Sequence, residues 1–188
     1  MASTKRDHLV ETALDLFCRD GFHATGIDKI LAASGVAKMT MYKHFKSKDE
    51  LILAALHRRD ETFRNGFMRD IERLGKTPRE RLLAIFDVLE EWFGGRKFTG
   101  CAFINASAEF ADPDDPIHAA AAEHKRLVLA YLVELTTAAE AKDPDALAQG
   151  LMMLMEGAVV MAYVAGRSDA AAEARKTAKI LLADALKP

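Results

Sequence analysis

The sequence predicts an all-α protein of about nine helices, three in an N-terminal head and six in a body. Apolar residues recur at the three- and four-residue spacing of one helix face in segment after segment. Glycine and proline divide these segments at intervals typical of helix ends. Two short segments between residues 25 and 48 flank Ser34-Gly35-Val36, which is the pattern of a helix-turn-helix. The sequence lacks the two-residue alternation of a half-buried strand.

The predicted head contains three short helices. Ser3 or Thr4 is suited to cap the first helix, and Gly21 is suited to end it. Thr25 precedes the second helix in a T-x-x-D arrangement that can satisfy free backbone amides, and Gly35 ends that helix. The head helices should cover about residues 4–20, 26–34 and 38–45.

The predicted body begins with a long helix. A capping box at Ser47-Lys48-Asp49-Glu50 starts this helix, which should reach about Leu74 and span roughly 40 Å. Thr77-Pro78 and Asp143-Pro144 have the residues of helix starts, and Gly94-Gly95 has those of a helix end. The six body helices should cover about residues 48–74, 78–93, 102–110, 117–141, 144–165 and 169–186.

Composition and charge are those of a soluble folded protein. Half of the 188 residues are hydrophobic, 29% are charged, and the net charge is −2. The N-terminus does not resemble a signal peptide, and no uninterrupted apolar run reaches the ~18–20 residues that span a bilayer, so we expect a cytoplasmic protein without a membrane partner. Cys18 and Cys101 lack metal-ligand spacing, and Cys101, His118 and His124 are irregularly spaced. We therefore predict neither a metal nor a cofactor.

The third helix has the residues of a DNA-reading helix. Met41 and Phe45 should face inward, which turns Met39 and Lys43 outward. Four lysines lie between residues 38 and 48 with no acidic residue among them, which suits a phosphate backbone. The alternative is that these lysines form a solvated face and that Tyr42 is half-buried. The predicted DNA contacts are Thr25, Lys38, Met39, Thr40, Tyr42, Lys43, His44 and Lys48.

The stretch GFHATGIDKILAASGVAKMTMYKHFKSKDELILAAL resembles the N-terminal domain of the TetR family of transcriptional regulators. The pattern comprises a Gly-aromatic start, a threonine before the second helix, Gly-Val, Tyr-x-His-Phe and Ser-Lys-x-Glu-Leu, and it covers about the first 55 residues. The resemblance implies a DNA-binding domain at residues 1–47 and a ligand-binding and dimerisation domain at 48–188. It also implies a homodimer on a palindromic operator of double-stranded DNA and a small-molecule effector.

Two residues depart from the family pattern. Ala37 stands where a hydroxylated residue commonly caps the recognition helix and contacts phosphate, and alanine can do neither. Met39 stands where glycine is common, so a bulky apolar side chain should face the groove. The family pattern therefore does not predict the operator sequence.

The eighth predicted helix is apolar around much of its circumference. A helix of this kind is buried by its own domain and by a partner together. Because the resemblance also implies that the last two helices form a four-helix interface, we expect the dimer contacts to come from both of them. The predicted interface residues are Leu147, Leu151, Leu154, Ala158, Met161, Ala178, Leu181 and Leu182.

Aromatic residues and methionines in the body could line a pocket for an apolar or aromatic ligand. The alternative for each of them is an ordinary core position. The apolar candidates are Phe86, Trp92, Phe93, Phe103, Phe110, Tyr131, Met152, Met155 and Tyr163. Polar residues that could orient a ligand are Asn105 and His124, with Glu109 and Glu156 as further candidates.

The resemblance implies a repressor that is released from DNA by a ligand, and the sequence predicts no enzyme. It contains no nucleophile elbow, phosphate-binding loop, HExxH or paired-carboxylate motif, so no catalytic residue is assigned. The alternative is a helical small-molecule-binding protein or enzyme without regulatory DNA binding. A third class, an architectural DNA-binding protein, does not account for the large apolar body.

Overall fold

A computed structural model describes residues 4–186 and confirms the all-α prediction. Within these residues the chain forms nine helices and no strand. The helices are α1 (Lys5–Asp20), α2 (Ile27–Ser34), α3 (Lys38–His44), α4 (Lys48–Leu74), α5 (Pro78–Phe93), α6 (Ala102–Glu109), α7 (Pro116–Ala138), α8 (Pro144–Val164) and α9 (Ala170–Ala185).

The helices form two compact units that differ from the predicted head and body. The first unit contains the described residues up to Phe63 together with Cys101–His124. The second contains Arg64–Gly100 and the described residues from Lys125 onward. The helix α6 and the first part of α7 therefore pack with the head, although they follow residue 47 in the sequence. The functional boundary at residues 47 and 48 stays a prediction.

In the first unit, α2 and α3 pack against α1. The apolar face of α1 is buried, and so are Met41 and Phe45, as their spacing predicts. Thr4 caps α1 because its Oγ1 accepts a hydrogen bond from the Asp7 amide at 3.1 Å. The other predicted cap, Ser3, lies outside the described residues. Buried α1 residues are Leu9, Val10, Ala13, Leu16 and Phe17.

The start of α4 completes the first unit. Ser47 Oγ accepts a hydrogen bond from the Glu50 amide at 3.1 Å, and the Glu50 carboxylate accepts one from the Lys46 amide at 2.7 Å. These bonds satisfy free amides at the helix start, so Ser47 and Glu50 cap α4 as predicted. The buried residues of its first turns are Leu51, Ile52, Ala55 and Leu56.

In the second unit, α5 packs against α8 and α9, and α8 packs against α9. Thr77 begins α5 with a capping box to Glu80, and Pro78 occupies the first turn, as the sequence predicts. Apolar side chains of all three helices form one buried core. Its members include Leu82, Ile85, Phe86, Leu89, Leu147, Leu151, Met155, Ala178 and Leu182.

The helix α8 departs from one expectation. The helix has 21 residues, and a stretch of 18 of them has a mean hydropathy of 1.5, so by length and composition α8 could cross a membrane. Among the described residues it is the one helix with this property. A core helix of a soluble protein passes the same test, and Leu151 of α8 is fully buried in the second unit. We therefore read its hydropathy as that of a core helix.

Candidate nucleic-acid interface and body surfaces

The turn between α2 and α3 has the geometry of a helix-turn-helix. Gly35 ends α2 in the left-handed conformation, with φ 65°, and its amide donates to the Leu31 carbonyl. Val36 is buried beneath the turn. Ala37 is the N-cap residue of α3 and forms no side-chain cap hydrogen bond, as the absence of a hydroxyl there predicts. This local structure packs one face of α3 against the rest of the head and leaves its opposite face exposed.

The free face of α3 carries most of the predicted DNA contacts. Met39 is 85% exposed, so its bulky apolar side chain has no place in the core of the chain. Tyr42 and Lys43 are also exposed on this helix, and Thr40 is half-buried. The side chain of Lys38 is exposed and lies near Asp28, with Nζ to Oδ1 at 3.7 Å. His44, the last predicted residue of α3, is exposed as well.

Two predicted DNA contacts have other partners in the structure. Thr25 is fully buried, and its hydroxyl donates to the Gly21 carbonyl at 2.7 Å. The prediction that the Thr25 side chain contacts phosphate is therefore wrong, because this hydroxyl is needed to close the turn after α1. Lys48 Nζ donates to the His23 carbonyl at 3.1 Å. Its side chain is oriented toward the same turn.

The Glu109 side chain is part of the head, a role that the sequence does not predict. Its carboxylate accepts hydrogen bonds from the Phe22 amide at 2.8 Å and from the His23 amide at 2.6 Å. These partners lie more than 80 positions apart in the chain, and no local pattern connects them. The local sequence around Glu109 is Ala-Glu-Phe, followed by an acidic turn that contains proline. This pattern indicates only that α6 ends there.

The predicted ligand-binding residues are divided between the two units. Asn105, Phe103, Phe110 and His124 belong to the first unit, and the others belong to the second. His124 is buried, with Nδ1 2.7 Å from Asp60 Oδ1 and with its ring stacked on Phe103 at 3.7 Å between centroids. These two predicted residues are packed against each other, as in a core. For Phe103 and His124 the contacts are those of the alternative, an ordinary core position, and a ligand pocket in the body stays a prediction.

In the second unit, most of the predicted ligand-binding residues are core or cluster residues. Phe86 and Met155 are buried in the core, and Met152 is half-buried. Trp92, Phe93 and Tyr163 form an aromatic cluster around Phe98, with ring centroids 5.2, 5.0 and 6.2 Å from it. The rings pack edge to face or tilted against each other, which are the favoured arrangements of packed aromatic side chains.

Tyr131, a predicted ligand-binding residue, lines a cavity of the second unit. The cavity has a volume of 150 Å³ and lies between the later turns of α4 and α7. Burial raises the pKa of the Tyr131 hydroxyl, which has no hydrogen-bond partner. The walls combine apolar and charged side chains. They are Arg64, Phe67, Met68, Leu127, Val128, Ala130, Tyr131 and Glu134.

Most of the residues predicted at the dimer interface are not exposed on the single chain, so a dimer interface on α8 and α9 stays a prediction. Leu147, Leu151, Ala158, Ala178 and Leu182 are buried within the chain, and Leu154 and Leu181 are half-buried. The five buried residues cannot contact a partner, because they already form the core of the second unit. Of the predicted set, only Met161 is exposed.

An exposed apolar face on α8 and α9 remains. Met153 is 73% exposed, Val164 is 78% exposed and Ile180 on α9 is 70% exposed. Beside them, a groove of 290 Å³ runs between the two helices, lined by Met153, Leu154, Gly157 and Met161 on one side and by Glu173 and Thr177 on the other. Large apolar side chains grouped on one surface mark an interaction site.

The two cysteines have buried surroundings. Cys101 is buried and Cys18 is half-buried, and neither forms a disulfide. Burial raises the pKa of the Cys18 thiol, which lowers the fraction of reactive thiolate at neutral pH. Within residues 4–186, His, Cys, Asp and Glu side chains form no group of three that could hold a metal ion.

Two family models match the chain. The one described as "Bacterial regulatory proteins, tetR family" matches residues 9–55, which include α2 and α3. The one described as "Tetracyclin repressor-like, C-terminal domain" matches residues 78–178, more than half of the chain.

Three relatives of the chain are named as transcriptional regulators. The chain is 26% identical to the regulator YjdC of Escherichia coli over 156 residues, which cover 81% of this chain and 80% of YjdC. It is 27% identical to the E. coli repressor NemR, over 68% of this chain and 64% of NemR. It is 38% identical to the activator FasR of Mycolicibacterium smegmatis over 90 residues, which cover 46% of this chain and only 41% of FasR.

Solved structures show the same fold over nearly the whole chain. The crystal structure of SCO4454, a TetR-family regulator from Streptomyces coelicolor, matches 98% of this chain and 91% of its own, with a TM-score of 0.90 and 30% identity. A TetR-type regulator from Streptomyces avermitilis matches 97% of this chain and 98% of its own, with a TM-score of 0.84 and 31% identity.

Proposed function

The chain belongs to the TetR family of transcriptional regulators, with a helix-turn-helix DNA-binding head and a C-terminal ligand-binding domain, and from this premise we propose that it is a homodimeric repressor. A small apolar or aromatic molecule releases it from a palindromic operator. The proposal rests on one observation above all, the exposed face of α3. Met39 has no packing role there, and Lys43 shares the face.

The side chains of α3 suit direct reading of bases. A lysine can donate to guanine O6 and N7, and an apolar side chain can contact the thymine methyl group. Lys43 and Met39 supply these two chemistries on one exposed helix face. Lys38, Tyr42 and His44 are suited to the flanking phosphates, and Thr40 to either. A helix without its own N-terminal cap, as at Ala37, leaves backbone amides available to a phosphate oxygen.

A homodimer explains the exposed face of α8 and α9. Burial of Met153, Val164 and Ile180 against a second copy removes large apolar surface from water. A twofold dimer that binds two half-sites of one DNA face presents its two recognition helices roughly 34–36 Å apart, one helical turn of DNA. The operator of a twofold dimer is palindromic for the same reason.

A small effector fits the cavity beside α4. Its volume is about that of an engineered cavity that binds benzene. Phe67 and Met68 on α4 supply apolar walls. Because α4 begins at Lys48 in the head unit, a ligand that shifts its later turns can change the spacing of the two heads. Reversing a 99:1 preference for the DNA-bound form needs about 5.5 kcal/mol of differential affinity.

The direction of regulation is taken from the relatives. NemR is named a repressor and aligns with 68% of this chain, whereas the activator FasR aligns with 46%. We therefore favour repression. The competing function, a helical small-molecule-binding protein or enzyme without regulatory DNA binding, gives no role to the exposed side chains of α3.

DNA binding should depend steeply on salt. We expect the protein to bind a labelled duplex from the region flanking its own gene more tightly than a mixed-sequence duplex, with log Kd rising linearly with log salt, because lysines on α3 displace counterions. Fluorescence anisotropy between about 50 and 200 mM salt measures both quantities. A flat salt dependence without preference for the flanking DNA would contradict the proposed function.

An effector should stabilise the protein and release the DNA. In a thermal-shift screen that begins with benzene and toluene, a ligand at ten times its Kd adds about 1.4 kcal/mol and raises Tm by about 3–6 °C. The same ligand should lower anisotropy of the bound duplex. If ligands raise the Tm but leave DNA affinity unchanged, the proposed coupling between the cavity and the head is contradicted.

A further inference from the structure

The turn between α1 and α2 is held by the end of α6. The Phe22 amide donates to Glu109 Oε1 at 2.8 Å, and the His23 amide donates to Oε2 at 2.6 Å. One carboxylate thus satisfies two successive backbone amides, with a separate oxygen for each. Hydrogen bonds to a charged acceptor are shorter and about twice as strong as neutral ones.

Further contacts fix the same turn. The His23 ring donates from Nε2 to the Glu109 carbonyl at 3.0 Å and lies 4.5 Å from the Phe110 ring. The Lys48 Nζ donates to the His23 carbonyl. Phe22 is fully buried, stacked on Phe17 and edge-on to Phe110. The turn is therefore bound to α1, to the start of α4 and to the end of α6.

This turn leads directly into the helix-turn-helix. The helix α2 begins at Ile27, four residues after His23, and its N-cap Gly26 supplies no side-chain hydrogen bond. The backbone of Gly21 is in a left-handed region, with φ 91°, and a Cβ there would lie 3.3 Å from Glu109 Oε1. The start of α2 thus depends on the turn, and the turn packs closely against the Glu109 carboxylate.

We propose that Glu109 is a positioning residue for DNA binding, whose carboxylate sets the orientation of α2 and α3 through the α1–α2 turn. The inference rests on the proposed DNA-binding function. Glu109 lies inside the segment that matches the family's C-terminal domain, residues 78–178. A residue of that domain therefore completes the DNA-binding head, and displacement of the end of α6 lowers DNA affinity.

The test compares two variants of the full-length chain. Glu109→Gln keeps the side-chain shape but removes the charge and places an NH₂ group against one of the two amides. Thr77→Ala is the matched control, since it removes a capping box from α5 in the second unit, far in sequence from the head. DNA affinity is measured at 25 °C by anisotropy with the labelled duplex that flanks the gene. Hydrogen exchange reports the Phe22 and His23 amides.

We expect Glu109→Gln to bind DNA about tenfold more weakly and to show faster exchange at Phe22 and His23. Thr77→Ala should lower Tm while its DNA affinity stays within about twofold of the unchanged protein. Unchanged DNA affinity in Glu109→Gln would overturn the inference. An equal loss of DNA affinity in Thr77→Ala would also overturn it, because the loss would then be an effect of lower stability. If the unchanged protein fails to bind the duplex, the proposed function falls and the inference falls with it.

Discussion

Replacing Lys43 with alanine should weaken binding to the operator by about 10- to 100-fold. A lysine that donates to guanine is worth about 1–3 kcal/mol of discrimination, and Lys43 is exposed on the face of α3 that also carries Met39. The substitution removes no buried contact, so the Tm should stay within about 2 °C of the unchanged protein. Anisotropy with the operator duplex and with a mixed-sequence duplex measures the loss on each.

Lys46→Ala is the matched control for this experiment. Lys46 is an exposed lysine that follows α3, so its removal changes the net charge of the head by the same amount. We expect Lys46→Ala to weaken both duplexes about equally, because a charge near the backbone acts on any sequence. Lys43→Ala should instead weaken the operator far more than the mixed-sequence duplex. An equal loss on both would mean that Lys43 contacts phosphate and does not read a base.

Replacing Met153 with glutamate should convert the dimer into monomers. Met153 is 73% exposed in the single chain, so a charge there costs the monomer little. In a dimer built on the exposed face of α8 and α9, the carboxylate would be buried without a partner. We expect the dimer Kd to rise by at least about 100-fold. Sedimentation velocity measures this Kd, and operator affinity should fall with it, since each monomer binds one half-site.

Thr137→Glu adds the same charge at an exposed position near the end of α7, outside α8 and α9. This variant should remain a dimer and keep its operator affinity. A Met153→Glu protein that sediments as a dimer would show that another surface mediates assembly. A shared loss in both variants would show an effect of net charge on association.

The helix-turn-helix could be predicted from the sequence because its determinants are local. Gly35 adopts the left-handed conformation that ends α2, and the spacing of Met41 and Phe45 turns one face of α3 inward. Once that face is buried, the helix period exposes Met39 and Lys43. Ala37 leaves α3 uncapped for an equally local reason, the absence of a hydroxyl.

The dimer and pocket residues could not be predicted in the same way. An apolar helix such as α8 has two faces of similar composition, and its period does not show which of them packs on its own chain. Leu151 lies on the inner face and Met153 on the outer one, although both are apolar. For the pocket, apolar type alone does not distinguish Phe86 in the core from Tyr131 beside a cavity.

The sequence by itself determined the helix count, the DNA-binding turn and the family, because caps, glycines and apolar periods act over a few residues. Only the tertiary structure decided which atoms those helices bring together. The Glu109 carboxylate meets the Phe22 amide across 87 positions of the chain, and Thr25 turns its hydroxyl inward to Gly21. Such contacts depend on the packing of α1 and α6 in space, which no local pattern encodes.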